Sequence, residues 1–305
     1  VISFRYHLVS IIAVFLALAL GIVVGTTGLN GAILSDLRSN VKSQKNDIAK
    51  LRTENSDLQK QAGNADDFAS AYSKQLLAGT LTGQTVVIVS APGASGKIKS
   101  GVESAVTSAG STIVGKIQLS ADYVDPQRGS DITALATSAA HPSGLTLPST
   151  SDSATLGGAL LGYVLSGQGS GSDIGKVLAG FSVLNMLKVE GSDPKGAKLA
   201  IVIGSGSAQA SDPKTKSLPV LVSEFNQNGL KTVVVGDQAS STAAGLVALI
   251  RSDSILPRAV STVDNGDTAL GQVSTVLALN GLLEGTVGQY GTAPGVTALF
   301  PSPPK

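Results

Sequence analysis

TVVIVSA, residues 85–91, is the stretch whose reading decides the fold. Its Val and Ile residues follow one another without polar alternation, and a turn sequence, Pro92-Gly93, comes directly after it. A short β-branched run of this kind is a strand covered on both faces, as in a parallel sheet lying between helices. The same pattern recurs in STIVGKIQL (111–119), KLAIVIGSG (198–206), KTVVVGD (231–237) and RAVSTVDN (258–265). Helical spacing fills several intervals between them, at 97–109, 218–228, 243–251 and 267–283, the last with Leu270, Val273, Val276, Leu277 and Asn280 on one side. Strands alternating with helices predict an α/β domain over residues 79–305, a doubly wound, mostly parallel sheet.

Two stretches depart from that alternation. Residues 138–175 are rich in Gly, Ser and Pro (HPSGLTLPSTSDS, SGQGSGSD) and read as an interruption: an insertion, a hinge or mobile loops. The tail TAPGVTALFPSPPK is proline-rich and predicted to be extended.

On the N-terminal side the continuous apolar runs give way to a repeat of three and a half residues. With Leu34 at heptad position a, the a series reads Leu34, Val41, Ile48, Asn55, Ala62, Ala69, Leu76, and the d series Leu37, Gln44, Leu51, Leu58, Ala65, Tyr72. This is a parallel coiled-coil pattern over 32–78, with Leu34, Leu37, Val41, Ile48, Leu51, Asn55 and Leu58 as the oligomerisation residues. Asn55 favours a matched-register dimer, because two amides at one a position can bond each other only in register. Asp47 at g and Arg52 at e add a pairing that parallel chains can make. Gln44 and the alanines of 62–69 weaken the seam, so an amphipathic helix packed on its own domain is the competing reading. Six heptads would reach about 60 Å as a stalk.

Further out, residues 8–27 carry no charge. About 20 apolar residues cross a hydrocarbon core of about 30 Å. The run is longer than a secretory h-region and lacks a clear Ala-x-Ala cleavage site, so residues 1–31 read as a tail and transmembrane anchor. Arg5 before the span places the N-terminus in the cytoplasm and the bulk outside it, although Arg38 and Lys42 blunt the asymmetry.

Composition narrows the function classes. The 305 residues are 42% hydrophobic and only 14% charged, with 36 Gly and no Trp. A net charge of +1 without a basic block gives no footprint for nucleic acid. The absence of Cys removes disulfides and thiolate chemistry. The turn APGASGKI lacks the four-residue gap of a phosphate loop, and Ile98 stands where a Ser or Thr would hold magnesium. Gly204-Ser205-Gly206 begins a dinucleotide motif, but Gln209 occupies its third glycine position. Of the two histidines, His7 abuts the anchor and His141 lies in a Pro/Gly loop, so no His triad or multi-His metal site forms within one chain. Carboxylates are available at Asp237, Asp264 and Asp267. The turn Asp264, Asn265, Asp267 follows a strand and precedes a helix, where open α/β sheets bind ligands. Capping by Asp267 is the preferred reading of that turn over catalysis. The chain is therefore predicted to be no enzyme and to hold no resident cofactor.

ISFRYHLVSIIAVFLALALGIVVG (2–25) and VSTVDNGDTALGQVSTVLAL (260–279) closely resemble the MctB family, known as copper transport outer membrane proteins, of bacteria with mycolic-acid-type and related envelopes. Gly288-Gln289-Tyr290-Gly291 resembles the family's Gly-x-Tyr-Gly, which extends the likeness over the whole chain. The resemblance implies a copper transport or homeostasis role in the cell envelope, with copper as the transported ion and the outer membrane among the candidate locations. A related branch is associated with daughter-cell separation, where a similar anchor and coil pair with a second envelope membrane protein.

The residues themselves supply little for copper. Cu(I) prefers thiolate or thioether and Cu(II) imidazole, and the chain offers one Met, Met186, besides its two His. Continuous apolar strands also argue against a transmembrane barrel, whose strands alternate. A copper path would have to be oligomeric and lined by carbonyls or carboxylates. The alternative is a non-catalytic scaffold or regulator in cell separation, working through the coil as a parallel homodimer or higher oligomer, or bound to a second membrane protein.

Overall fold

The computed structural model describes residues 4–191, 194, 196–204, 206, 216–242 and 244–302, and no side chain within 26–34. Leu34 of the predicted seam, Ser205 and Gln209 thus lie outside the described residues or side chains. The chain divides into two compact units, residues 1–64 and 65–305.

The first unit is the helix α1, Phe4–Leu77, as far as residue 64. No proline precedes Pro92, so nothing in the sequence breaks the helix. Phe4–Gly25 is 22 residues long with mean hydropathy 2.9, and none of it is buried against the rest of the chain. At 1.5 Å per residue it spans about 33 Å, enough for a bilayer core. Leu37, Val41, Ile48, Leu51 and Leu58 are 43–64% exposed, so a single chain gives the apolar stripe no cover. The ion pairs Lys50–Glu54 at 3.8 Å and Asp57–Lys60 at 3.6 Å are exposed and stabilise the helix only by tenths of a kcal/mol.

The second unit is built on a seven-stranded sheet in the order β3-β2-β1-β4-β5-β6-β7. The strands are β1 (Thr85–Ser90), β2 (Thr112–Leu119), β3 (Leu187–Val189), β4 (Leu199–Ile203), β5 (Lys231–Val235), β6 (Ser261–Val263) and β7 (Gln289–Tyr290). All neighbours are parallel except β3, which runs antiparallel to β2. The strand order reverses at β1, between β2 on one side and β4 on the other. The continuous apolar runs are explained by cover on both sides. Val86 and Ile88 pack under α2 (Gly96–Ser108) and α8 (Ala269–Leu283), while Val87 and Val89 belong to the opposite cluster with α3 (Gly129–Ala136), α4 (Ser153–Leu165), α5 (Gly171–Val183), α6 (Ser217–Gln227) and α7 (Leu246–Ser252). The expected helix at 243–251 begins later, at Leu246, because a 3-10 turn at Gln238–Ser241 is held first by Asp237, whose carboxylate accepts from Ser240 N at 2.9 Å.

The last turns of α1 belong to this unit. Ala69 and Leu77 are buried, Leu77 and Leu81 join the α2/α8 cluster, and Asp66 Oδ1 accepts from Leu270 N at 3.1 Å in the first turn of α8. At the heptad containing Ala69, the a position is therefore occupied by the chain's own domain.

The stretch 138–175 carries regular structure where the sequence reads as an interruption. α4 is buried from Leu156 to Leu165, and α5 opens on a capping box of Ser170 and Asp173. Apolar residues all round α4 mark a helix enclosed on every side. Its glycines let α6 approach: a Cβ on Gly158 would lie 2.8 Å from Glu224 Cγ, and one on Gly162 would lie 3.0 Å from the Glu224 carbonyl oxygen.

Candidate functional site

The carboxyl edge of the parallel strands gathers the polar residues singled out by the sequence. Asp264 follows β6 directly and is 1% exposed. Arg251 of α7 reaches it with Nη1 to Oδ2 at 2.8 Å. Thr292 N donates to Oδ1 at 2.8 Å and Ala293 N to Oδ2 at 3.1 Å, so both carboxylate oxygens are engaged. The guanidinium is used as fully: Nε donates to Thr262 Oγ1 and Nη2 to the Tyr290 carbonyl, each at 2.8 Å. Thr262 Oγ1 in turn donates to Gln289 Oε1 at 2.7 Å, and Gln289 Nε2 donates to the carbonyls of Pro257 and Val260 at 3.0 Å.

This network accounts for the glycines of Gly288-Gln289-Tyr290-Gly291. Gly291 has φ 125°, and a Cβ there would fall 2.1 Å from Asp264 Oδ1. A Cβ on Gly288 would fall 2.3 Å from the Tyr290 ring. The two stretches 260–265 and 288–291 are halves of one buried cluster. Chemically, Asp264 is the buried partner of a desolvated cation and accepts three hydrogen bonds on its two oxygens.

The rest of the turn divides its roles. The Asn265 carbonyl accepts from Thr268 N at 3.0 Å and Thr268 Oγ1 at 2.7 Å, while Asn265 Oδ1 is enclosed without a hydrogen-bond partner. The cap of α8 falls at Thr268, one residue after Asp267, with Thr268 Oγ1 accepting from Gly271 N at 3.0 Å. The shift has a geometric cause: Gly266 N is tied to the Gly236 carbonyl at 2.8 Å, and the tight turn that follows brings Thr268 over the first free amides. Across the same edge, Ser90 ends β1 on the α2/α8 face, 1% exposed and with its hydroxyl unpartnered. It stands where the strand order reverses, the position at which open α/β sheets bind ligands. Neither Ser90 nor Arg251 was marked by any motif; a polar residue ending an apolar strand is the one signal that would have found Ser90.

Elsewhere the titrating groups are structural. Glu224 of α6 is 6% exposed against α4, and desolvation holds its carboxyl above the ordinary range. The hydroxyl of Tyr123, unpartnered and buried nearby, is pushed up first by burial and then by Glu224. Glu190 is held below the ordinary range by its hydrogen bond from Lys99. For copper, Met186 is fully buried and His141 Nδ1 is enclosed without a partner. Among the described residues no group of three or more His, Cys, Asp and Glu converges.

Comparison with known proteins adds the context. A family profile described as "Copper transport outer membrane protein, MctB" matches residues 1–301. The proteins named copper transporter MctB from Mycobacterium tuberculosis and Mycobacterium bovis are 28% identical over 309 residues, covering 98% of each chain. The protein of that name from Mycobacterium leprae is 28% identical over 312 residues, again covering 98% of both.

Proposed function

The chain belongs to the MctB family, and from that premise we propose that it is a membrane-anchored, non-enzymatic envelope protein working in copper transport and copper homeostasis. One observation carries the reading: the match with proteins named as copper transporters runs through anchor, helix and sheet domain alike, over 98% of both chains. The apolar helix Phe4–Gly25 is the single-pass anchor, with its N-terminus cytoplasmic and the sheet domain extracytoplasmic.

Copper is the cargo. With no Cys and a buried Met186, the chain is poorly equipped to hold Cu(I) by soft ligands. Its passage then depends on oxygen and imidazole donors shared between copies or with a second envelope protein. The exposed stripe Leu37, Val41, Ile48, Leu51 and Leu58 supports a parallel homodimer. Because Asp66 and Ala69 serve the chain's own domain, that seam ends before residue 66. In the turn Asp264, Asn265, Asp267, the unpartnered Asn265 Oδ1 is an enclosed acceptor for a ligand, while Asp264 already accepts three hydrogen bonds.

The same exposed stripe favours a second reading, a scaffold or regulator of cell separation that pairs its helix with another envelope protein. The test is the copper content of cells lacking the chain, measured by mass spectrometry after copper exposure, with and without the restored gene. A change in copper content reversed by restoration is expected. Equal copper in both strains would sink the transport reading, and unseparated daughter cells in its place would favour the scaffold.

A further inference from the structure

Strand β3 ends the sheet on one side, and its register fixes which groups face outward. Ile117 pairs with Val189, Gln118 with Lys188 and Leu119 with Leu187. Ser120 N donates to the Met186 carbonyl at 3.0 Å and Glu190 N to the Lys116 carbonyl at 2.9 Å. In an antiparallel ladder those bonds flank non-hydrogen-bonded pairs at Leu187 and Val189, so Lys188 turns its N–H and C=O to β2. The N–H and C=O of Leu187 and Val189 point away from the sheet, and no described residue bonds them.

Beside that edge lies an open cavity of about 640 Å³. One wall is a face of α5, Gly175, Leu178, Ala179 and Ser182, related by steps of three (175/178, 179/182) and four (175/179, 178/182) residues. Gly175, Ala179 and Ser182 are small and leave room over the edge. Leu187 is buried in the core cluster on the α5 side, and Val189, two residues on, packs against the same cluster. Lys188 projects to the other face and is exposed. The edge therefore offers main-chain bonds, a recess on one face for small apolar side chains, and a cation on the opposite face.

A second copy of the chain is a poor occupant. With Leu187 opposite Val189, two antiparallel β3 strands would set Lys188 against Lys188, and like charges across a strand pair are destabilising. The register that sets Lys188 opposite Glu190 meets a carboxylate already taken by Lys99, and the one that sets it opposite Met186 runs into Asn185, whose φ of 56° ends the strand. We propose that β3 is a strand-addition site for an extended peptide segment of a partner protein. That segment carries an acidic residue opposite Lys188 and a small or β-branched apolar residue on each side of it, directed at α5. Main-chain bonds to Leu187 and Val189 give the affinity, and the alternating side chains give the selectivity.

The probe is a fluorescent, capped pentapeptide, threonine-valine-glutamate-valine-threonine, titrated into the millimolar range against the full chain in detergent micelles. A second peptide replaces its glutamate by lysine. The expected result is a saturable rise in anisotropy for the glutamate peptide, about tenfold tighter than for the lysine peptide. Lys188→Glu, an exposed substitution that leaves the core untouched, should reverse that preference. Ala179→Leu, checked for folding by circular dichroism, should abolish binding by filling the recess. Absence of saturable binding, or a preference that Lys188→Glu leaves unchanged, would overturn the proposal.

Discussion

Arg251 and Asp264 form an ion pair at 2.8 Å with side chains only 5% and 0% exposed. Such a pair stabilises a fold only where further hydrogen bonds offset the desolvation of both charges. Here the Thr262 hydroxyl and the Tyr290 and Pro294 carbonyls take Arg251 N–H groups, and the Thr292 and Ala293 amides bond Asp264. Arg251→Ala strands a buried carboxylate and is expected to cost about 3–5 kcal/mol. Asp264→Ala should cost a similar amount, and the double variant well under the sum of the two, as contacting residues do. Denaturant unfolding of the three variants checks this, and additive losses would mean that the two side chains act separately.

Gly291→Ala places a methyl group against Asp264 Oδ1 at a φ of 125°. Backbone strain alone is about 1–3 kcal/mol, and displacement of the carboxylate adds to it. The thermal midpoint should fall clearly below that of the wild type, whereas Gly285→Ala, with open space around its Cβ, should pay only for its φ of 80°.

Glu224 makes stability fall as pH rises. Its folded-state pKa lies above the free value of 4.5 through desolvation, so the folded chain binds more protons than the unfolded chain. Its contribution is fully present below the free value and is lost as pH climbs through the folded one. Glu224→Gln should flatten that part of the stability–pH curve. Glu190, held below 4.5 by Lys99, has the opposite sign, so Glu190→Gln should remove a loss of stability on the acid side. A pH profile unaltered by Glu224→Gln would show that the carboxyl ionises freely in the fold.

Leu51→Lys together with Leu58→Lys is expected to convert a dimer in detergent into a monomer, as read by analytical ultracentrifugation. Asp66→Ala, which removes an acceptor from the first turn of α8, should leave the mass unchanged while costing about 1 kcal/mol in stability. A dimer surviving the double lysine substitution would defeat pairing through the helical stripe.

The central strands were legible because burial on both faces leaves a long apolar signature, and Val86–Val89 carry it without help from distant residues. α4 was hidden by the Gly/Ser/Pro-rich stretches on either side of it; its own glycines make sense only in the fold, where Gly158 and Gly162 lie against α6 and Gly157 against Ile132 of α3. β3 is three residues long and reads as nothing in isolation. At the candidate site the likeness of 260–279 and 288–291 to family motifs was visible, but the contact that joins them was not: Arg251, which bonds Thr262, Asp264 and the Tyr290 carbonyl, has the sequence context of an ordinary charge at a helix end. The cap at Thr268 was missed by one residue because the preceding turn is set by a bond to Gly236, just past the end of β5.

The partners of Asp264 and Arg251 come from residues 290–293, some forty positions beyond the arginine. A growing chain has made every other strand before it supplies them. Without them a desolvated ion pair would lack the Tyr290 carbonyl and the amides of Thr292 and Ala293. A product cut short before β7 should therefore be cleaved by proteases faster than a whole one.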